Sequence, residues 1–363
     1  MTTSVTRLLG LGLTPGKLRG LQRICNENGT LTMVATDQNS SMISMLKDSF
    51  KKLEGKEREP TYDELVLAKN TLTRTLAPHA SAILVDGYYG AWNAMASMAL
   101  PRNTGLLIRV EKSGGGKNKV GAPLGCFEPG LGVRKIKLLG CDAVKLLAPF
   151  EPTEPASAEH QLHFVQQVYE ECRQYDILML LETVAFPFSG EKKDDKKYKD
   201  RKAQTVIESA RQLSRFCDIY KAEFPGWLGV DADSQLLSNL KALNEASERP
   251  WVLLSAGVDY PDYKKQVQMA MDCGASGILG GRAFWKEYFL QGDQAAREKF
   301  ARGESAQRVR DLHEIVFNKA TPWFKWYGLT MEQIRDLYVA ENWHFRYAEP
   351  FTATDTTGER WGY

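Results

Sequence analysis

The sequence predicts an α/β protein built as one closed (β/α)8 barrel with a C-terminal extension. Short apolar runs, each closed by a polar residue or glycine, recur eight times, and longer segments with helical spacing separate them. The runs are apolar almost throughout, as parallel strands covered on both faces are. Eight alternations of this kind fit a barrel better than an open doubly wound sheet.

In chain order the expected strands are Leu31–Asp37, Ala82–Asp86, Leu106–Glu111, Ala143–Leu147, Ile177–Glu182, Asp218–Glu223, Trp251–Ser255 and Gly277–Gly281. Between the fifth run and the one before it, Ser157–Arg173 reads as a helix, with Leu162, Val165, Val168 and Tyr169 on one apolar stripe. Three segments interrupt the rhythm, the last of them the tail beyond about residue 328. Lys112–Lys119 (KSGGGKNK) reads as a solvated, flexible loop, although its lysines could attract an anion. Glu191–Lys202 (EKKDDKKYKDRK) reads as an exposed helix face or loop. The barrel is expected to span residues 1–327. The remainder, 328–363, is rich in aromatics such as Trp343 and Trp361 and is expected to pack on the barrel or a neighbouring subunit.

A chain of 363 residues can bury one large core without disulfides or metals. Its net charge of +2 gives no support to a nucleic-acid or membrane partner. The six cysteines include no CxxC pair, and the start MTTSVTRLLGLGLTPGK lacks the marks of a secretory leader. No stretch approaches the roughly 18 uninterrupted apolar residues of a membrane helix. A reducing cytoplasm is the expected location.

Functional side chains of such a barrel lie at the C-terminal strand ends and in the loops that follow. Those ends carry Asp37, Lys145, Glu182 and Lys221. Lysine is seldom buried without a partner, because its charge is costly to desolvate. Lys145 (CDAVKLLAPF) and Lys221 (CDIYKAEFPG) both follow a Cys-Asp dipeptide, so both are expected late in a strand. Two ammonium groups converging on one mouth would favour loss of a proton from one of them, giving an amine nucleophile for Schiff-base chemistry. Structural ion pairing, for instance of Lys221 with Glu182 or Glu223, fits the pattern equally well. Glu182, closing an apolar run, suits proton exchange, while Asp37 suits either the site or a helix cap.

The last two runs, LLSAGV and GILGGRAFW, put small residues where backbone must approach a ligand. Barrels frequently bind phosphate between the seventh and eighth strands. Ser255, Gly257, Gly281 and Arg282 fit that arrangement, as do two tight turns with a surface arginine. The five histidines avoid the strand ends, so no metal is expected. No GxSxG, Walker or GxGxxG motif occurs.

The segments VATDQNSS, AILVDGYYG, DAVKLLAPFEP, LLETVAF, CDIYKAEFPG, LLSAGV and GGRAFW, in this order, resemble the class I tagatose-1,6-bisphosphate aldolases and the related sulfofructosephosphate aldolases. The resemblance runs from about residue 15 to about residue 327, with GDQAAREKF and KATPW included. It implies that Lys221 is the Schiff-base lysine, Lys145 a second active-site lysine, Glu182 the general acid/base and Asp37 an active-site aspartate. Ser255, Gly257, Gly281 and Arg282 match the anion-binding end. Gln38, Asn39 and Arg109 are further candidates for substrate contact. One departure stands out: where members that cleave bisphosphates carry DQR, this chain has Asp37-Gln38-Asn39, without the bidentate donor.

The expected function is cleavage of a phosphorylated ketose, tagatose 1,6-bisphosphate-like, to dihydroxyacetone phosphate and glyceraldehyde 3-phosphate, with no cofactor and no metal. Its partner would be a small sugar phosphate, and the protein a homo-oligomer. Alternatives are a sulfofructosephosphate aldolase, an aldolase for another ketose 1-phosphate without the second phosphate, or a non-catalytic metabolite sensor.

Overall fold

The computed structural model describes residues 5–119 and 121–336. Trp343, Trp361 and most of the expected extension therefore lie outside the described residues. Eight parallel strands close into a barrel: β1 (Leu31–Ala35), β2 (Ala82–Asp86), β3 (Gly105–Arg109), β4 (Ala143–Pro149), β5 (Leu178–Val184), β6 (Ile219–Ala222), β7 (Trp251–Leu254) and β8 (Gly277–Gly280). Each is hydrogen-bonded to its sequence neighbours, and β8 closes on β1 through Leu31↔Gly277 and Met33↔Leu279.

Successive side chains on a strand alternate between its two faces. One set, including Val34, Ile83, Ile108, Val144, Met179, Leu181, Tyr220 and Leu253, faces outward and packs on the helices. The other set, including Met33, Ala35, Leu84, Leu107, Ala143, Leu180, Ile219 and Leu279, fills the barrel interior. The inward parity continues two residues further on. It carries Ala35 to Asp37, Leu107 to Arg109, Ala143 to Lys145, Leu180 to Glu182 and Ile219 to Lys221. Strand periodicity alone thus aims these polar groups at one end of the barrel. The opposite end is plugged by Leu8, Leu13, Leu21 and Ile24 together with Trp323, Phe324 and Leu329, all buried with the interior set.

The Cys-Asp dipeptides before Lys145 and Lys221 act at strand entries. Asp142 accepts the amide of Leu106 at 2.8 Å, and Asp218 accepts that of Met179 at 2.8 Å. Asp218 also holds the buried Lys17 at 2.7 Å.

Three sequence expectations change in detail. The expected helix spans Pro155–Gln174, started by Pro155 and capped by Glu154, which accepts from the Ser157 amide at 2.7 Å. Its buried stripe is Gln161, Phe164, Val165, Val168 and Cys172, whereas Leu162 and Tyr169 are only partly covered. The KSGGGKNK segment is not a solvated loop throughout: Gly116–Lys117 pairs antiparallel with Pro123–Leu124, and Ser113 meets Ser40 at 3.1 Å. The Glu191–Lys202 run is not all solvated either, since a helix starts at Lys196 and buries Tyr198 and Lys202, the latter 4.2 Å above the Trp227 ring.

Behind the mouth, Lys69 and Asp86 form a fully buried ion pair at 2.7 Å. Lys69 also donates to the carbonyls of Thr36 at 2.6 Å and Gln38 at 3.4 Å, so it ties the chain after β1 to β2. Asp86 in turn accepts the amides of Tyr88 and Tyr89. Removing one partner of such a pair strands the other charge. Lys69→Met should lower stability by about 3 kcal/mol or more, read from urea denaturation, and an unchanged midpoint would contradict this account.

Candidate active site

The inward polar groups line a cavity of about 400 Å³ at the C-terminal end of the barrel. Every residue singled out in the sequence faces it: Asp37, Gln38, Asn39, Arg109, Lys145, Glu182, Lys221, Ser255, Gly257, Gly281 and Arg282. A second cavity, about 530 Å³ and lined by Lys17, Tyr169, Arg173, Asp218 and Arg249 among others, shares no residue with it.

Lys145 is the centre of the floor. Its Nζ lies 2.9 Å from Glu111 Oε1, 3.1 Å from Asp37 Oδ2 and 3.1 Å from Glu182 Oε2. The same Glu182 oxygen is 3.0 Å from Lys221 Nζ. The two lysines therefore share one carboxylate oxygen. Glu223, the other candidate partner of Lys221, instead accepts the Ala185 amide at 2.7 Å. Arg109 closes the group, donating to the Asp37 carbonyl at 2.7 Å and lying 3.6 Å from Glu128.

Burial disfavours the charge on Lys145, but Asp37, Glu111 and Glu182 outweigh it and push its pKa well above the usual lysine range. Burial likewise pushes the Asp37 carboxyl up, yet Lys145, Lys221 and Arg109 hold it down at about 2. Glu182 is also lowered, because Lys145 and Lys221 overcome its desolvation. Glu111 goes the other way: burial dominates and raises it, and its Oε2 is buried without a hydrogen-bond partner.

At the β7–β8 side, Ser255 Oγ accepts the Gly281 amide at 3.2 Å, and Arg282 Nη2 reaches the Ala256 carbonyl at 3.5 Å. Gly257 has φ +80°, and a Cβ there would stand 2.9 Å from Arg282 Cζ. Only glycine both tolerates that backbone and leaves the guanidinium its place. On the β1 side, Gln38 Oε1 and Asn39 Oδ1 are buried without partners.

Among the charged residues of the cavity, Glu111, Lys112 and Lys193 escaped selection from the sequence. Glu111 ends its run in plain view, but nothing local marks it as the third carboxylate on Lys145. Lys112 and Lys193 line the mouth from the two segments read as solvated. Among the described residues, no group of three or more His, Cys, Asp or Glu is placed to hold a metal ion.

A family model described as "DeoC/LacD family aldolase" matches residues 31–287. The tagatose 1,6-diphosphate aldolase of Listeria monocytogenes serotype 4b (strain CLIP80459) is 31% identical over 350 residues, covering 91% of this chain and 98% of that protein. That of Lactococcus lactis subsp. lactis is 28% identical over 331 residues, covering 86% and 98%. Among solved structures, a fructose-bisphosphate aldolase from Slackia heliotrinireducens shares the fold with TM-score 0.58 at 14% identity, covering 86% of this chain and 92% of that one. A Schiff-base-forming fructose-1,6-bisphosphate aldolase does so with TM-score 0.52 at 15% identity, covering 83% and 99%. The barrel, its charged mouth and these relatives define an enzyme that acts on carbon–carbon bonds, an aldolase of the lyase class. The chain belongs to the DeoC/LacD aldolase family.

A carboxyl held at about 2 contributes stability above the usual aspartate range and loses it as pH falls through about 2. Asp37→Asn should cost about 2 kcal/mol at neutral pH, with the deficit shrinking between about pH 4 and pH 2. Urea titrations of both proteins across that range test this. A deficit independent of pH would show that Asp37 is not held by the surrounding cations.

Proposed function

We propose that the protein is a class I aldolase that cleaves a ketose bisphosphate of the tagatose 1,6-bisphosphate type through a Schiff base on Lys221. The observation that carries this reading is the single Glu182 oxygen within hydrogen-bond reach of both lysines at the cavity floor. A nucleophile beside a proton-exchanging carboxylate is what imine formation requires. The curated relatives act, by name, on tagatose 1,6-diphosphate, which supports the substrate class.

Lys221 Nζ, once neutral, adds to the C2 ketone, and Glu182 passes the proton that turns the C2 oxygen into the carbinolamine hydroxyl. Loss of that hydroxyl as water leaves an iminium. A base takes the proton of the C4 hydroxyl, C4 becomes a carbonyl, and the C3–C4 bond breaks with its electron pair drawn to the iminium nitrogen. The aldehyde, glyceraldehyde 3-phosphate, departs. The enamine is then protonated at C3 and hydrolysed, releasing dihydroxyacetone phosphate and regenerating the amine. Lys145, kept charged by its three carboxylates, supplies a fixed cation for substrate oxygens and orients Glu182. Asp37 orients Lys145 and the carbinolamine hydroxyl. Ser255, the amides near Gly257 and Gly281, and Arg282 hold the C1 phosphate.

Six free thiols support a reducing, cytoplasmic setting. We further propose that the protein is a homo-oligomer. Its support is an exposed aromatic face where Tyr62 meets Tyr88, with Trp92 66% exposed nearby. Light scattering should give more than one subunit, and Trp92→Asp should shift the protein toward the monomer.

Borohydride reduction in the presence of dihydroxyacetone phosphate should leave one adduct on Lys221, located by peptide mass. Lys221→Ala should lose turnover by several orders of magnitude, whereas EDTA should leave it intact. Absence of any adduct on folded protein, or EDTA inhibition reversed by added metal, would overturn the scheme.

A further inference from the structure

We infer that Lys112 and Lys193 form the subsite for the substrate's second anionic group, replacing the arginine that position 39 lacks. The inference rests on the proposed ketose-bisphosphate reading and identifies which residues of this chain recognise the far end of the substrate.

The cations of the cavity fall into two groups. Lys145, Lys221 and Arg109 are occupied by floor carboxylates and a carbonyl. Lys112, Lys193 and Arg282 also line the cavity, yet none has a carboxylate partner among the described residues. Unpaired cations at the rim of a site whose floor is internally neutralised are available to a ligand anion.

Their positions set the span. Arg282 follows β8, and in the closed ring β8 lies opposite β4. Lys112 follows β3 and Lys193 follows β5, the two neighbours of β4. A ketose whose C1 phosphate sits at Arg282 must cross the Lys221–Lys145 floor before its other end arrives between the two lysines. Both segments are anchored. Ser113, next to Lys112, meets Ser40 at 3.1 Å, and the Lys112 amide donates to the Cys126 carbonyl at 2.9 Å. Lys193 sits between Glu191, paired with Arg201 at 2.7 Å, and Asp195, which accepts the Lys192 amide at 2.8 Å.

The β1 side is built for something else. The buried oxygens Gln38 Oε1 and Asn39 Oδ1 lack donors. An acceptor oxygen repels an anion and calls for an O–H, as a sugar hydroxyl provides. Lysine is a point charge that binds phosphate without the fixed fork of arginine, so this subsite would hold the anion with less demand on its geometry.

The test uses two inert probes, a hexitol 1,6-bisphosphate and the matching hexitol 1-phosphate, neither of which can form an imine. Calorimetry on the full chain should show the bisphosphate binding more tightly than the monophosphate, by a ratio that shrinks with added salt. Lys112→Ala and Lys193→Ala replace exposed side chains and should leave the fold intact, as circular dichroism will show. Each should cut that ratio roughly tenfold or more, with partial recovery in Lys193→Arg. The same ratio measured as kcat/KM on the two ketose phosphates should fall in parallel. A ratio unchanged in the double variant overturns the inference. Wild-type protein that cleaves neither ketose but keeps a lysine-dependent preference for the bisphosphate probe supports the subsite while removing the aldolase reading.

Discussion

A buried ammonium group is the constraint on which the site depends. Lys145 sits inside the barrel with almost no exposure, and a lone charge there would cost several kcal/mol. Three carboxylates from three different strand ends compensate it. Asp37 lies two residues past β1, Glu111 two residues past β3, and Glu182 within β5. Because the strands are fixed by the closed sheet, the carboxylates cannot drift, and Glu182 is held with the same oxygen presented to Lys221. The arrangement separates two roles that lysine can play. One lysine is surrounded by three carboxylates that favour its charge. The other keeps a single ionic contact, facing the open cavity.

Glu111 gives the network an asymmetry. Burial pushes all three carboxyls around Lys145 up, but only at Glu111 does it prevail, and of the three only Glu111 leaves a fully buried oxygen without a partner. Asp37 and Glu182 are both held down by the neighbouring cations. Burial therefore prevails at Glu111, whereas the neighbouring cations prevail at Asp37 and Glu182.

Much of the fold was legible because parallel strands announce themselves as apolar runs, and all eight were found within a few residues of their observed ends. The floor was legible for a related reason. Lys145, Glu182 and Lys221 are charges embedded in apolar strands, a conflict that only a shared, paired site resolves. Ser255, Gly257 and Gly281 were visible as small residues at strand ends. What stayed hidden depends on how loops fold back. Lys112 and Lys193 lie among other charges, and composition alone cannot distinguish a solvated lysine from one turned over a cavity. The plug residues Trp323 and Phe324 were hidden likewise, since their burial depends on helices about 300 residues earlier in the chain.

That plug has a consequence for biosynthesis. Met33 and Leu31 of β1 are covered by β8, and the barrel's closed end is sealed by Trp323, Phe324 and Leu329. At ribosomal rates, β1 is made about 15–60 s before these residues leave the ribosome. For that interval the nascent chain carries an open parallel edge and an uncovered apolar lumen. The first strand must therefore wait for the last before the sheet can close.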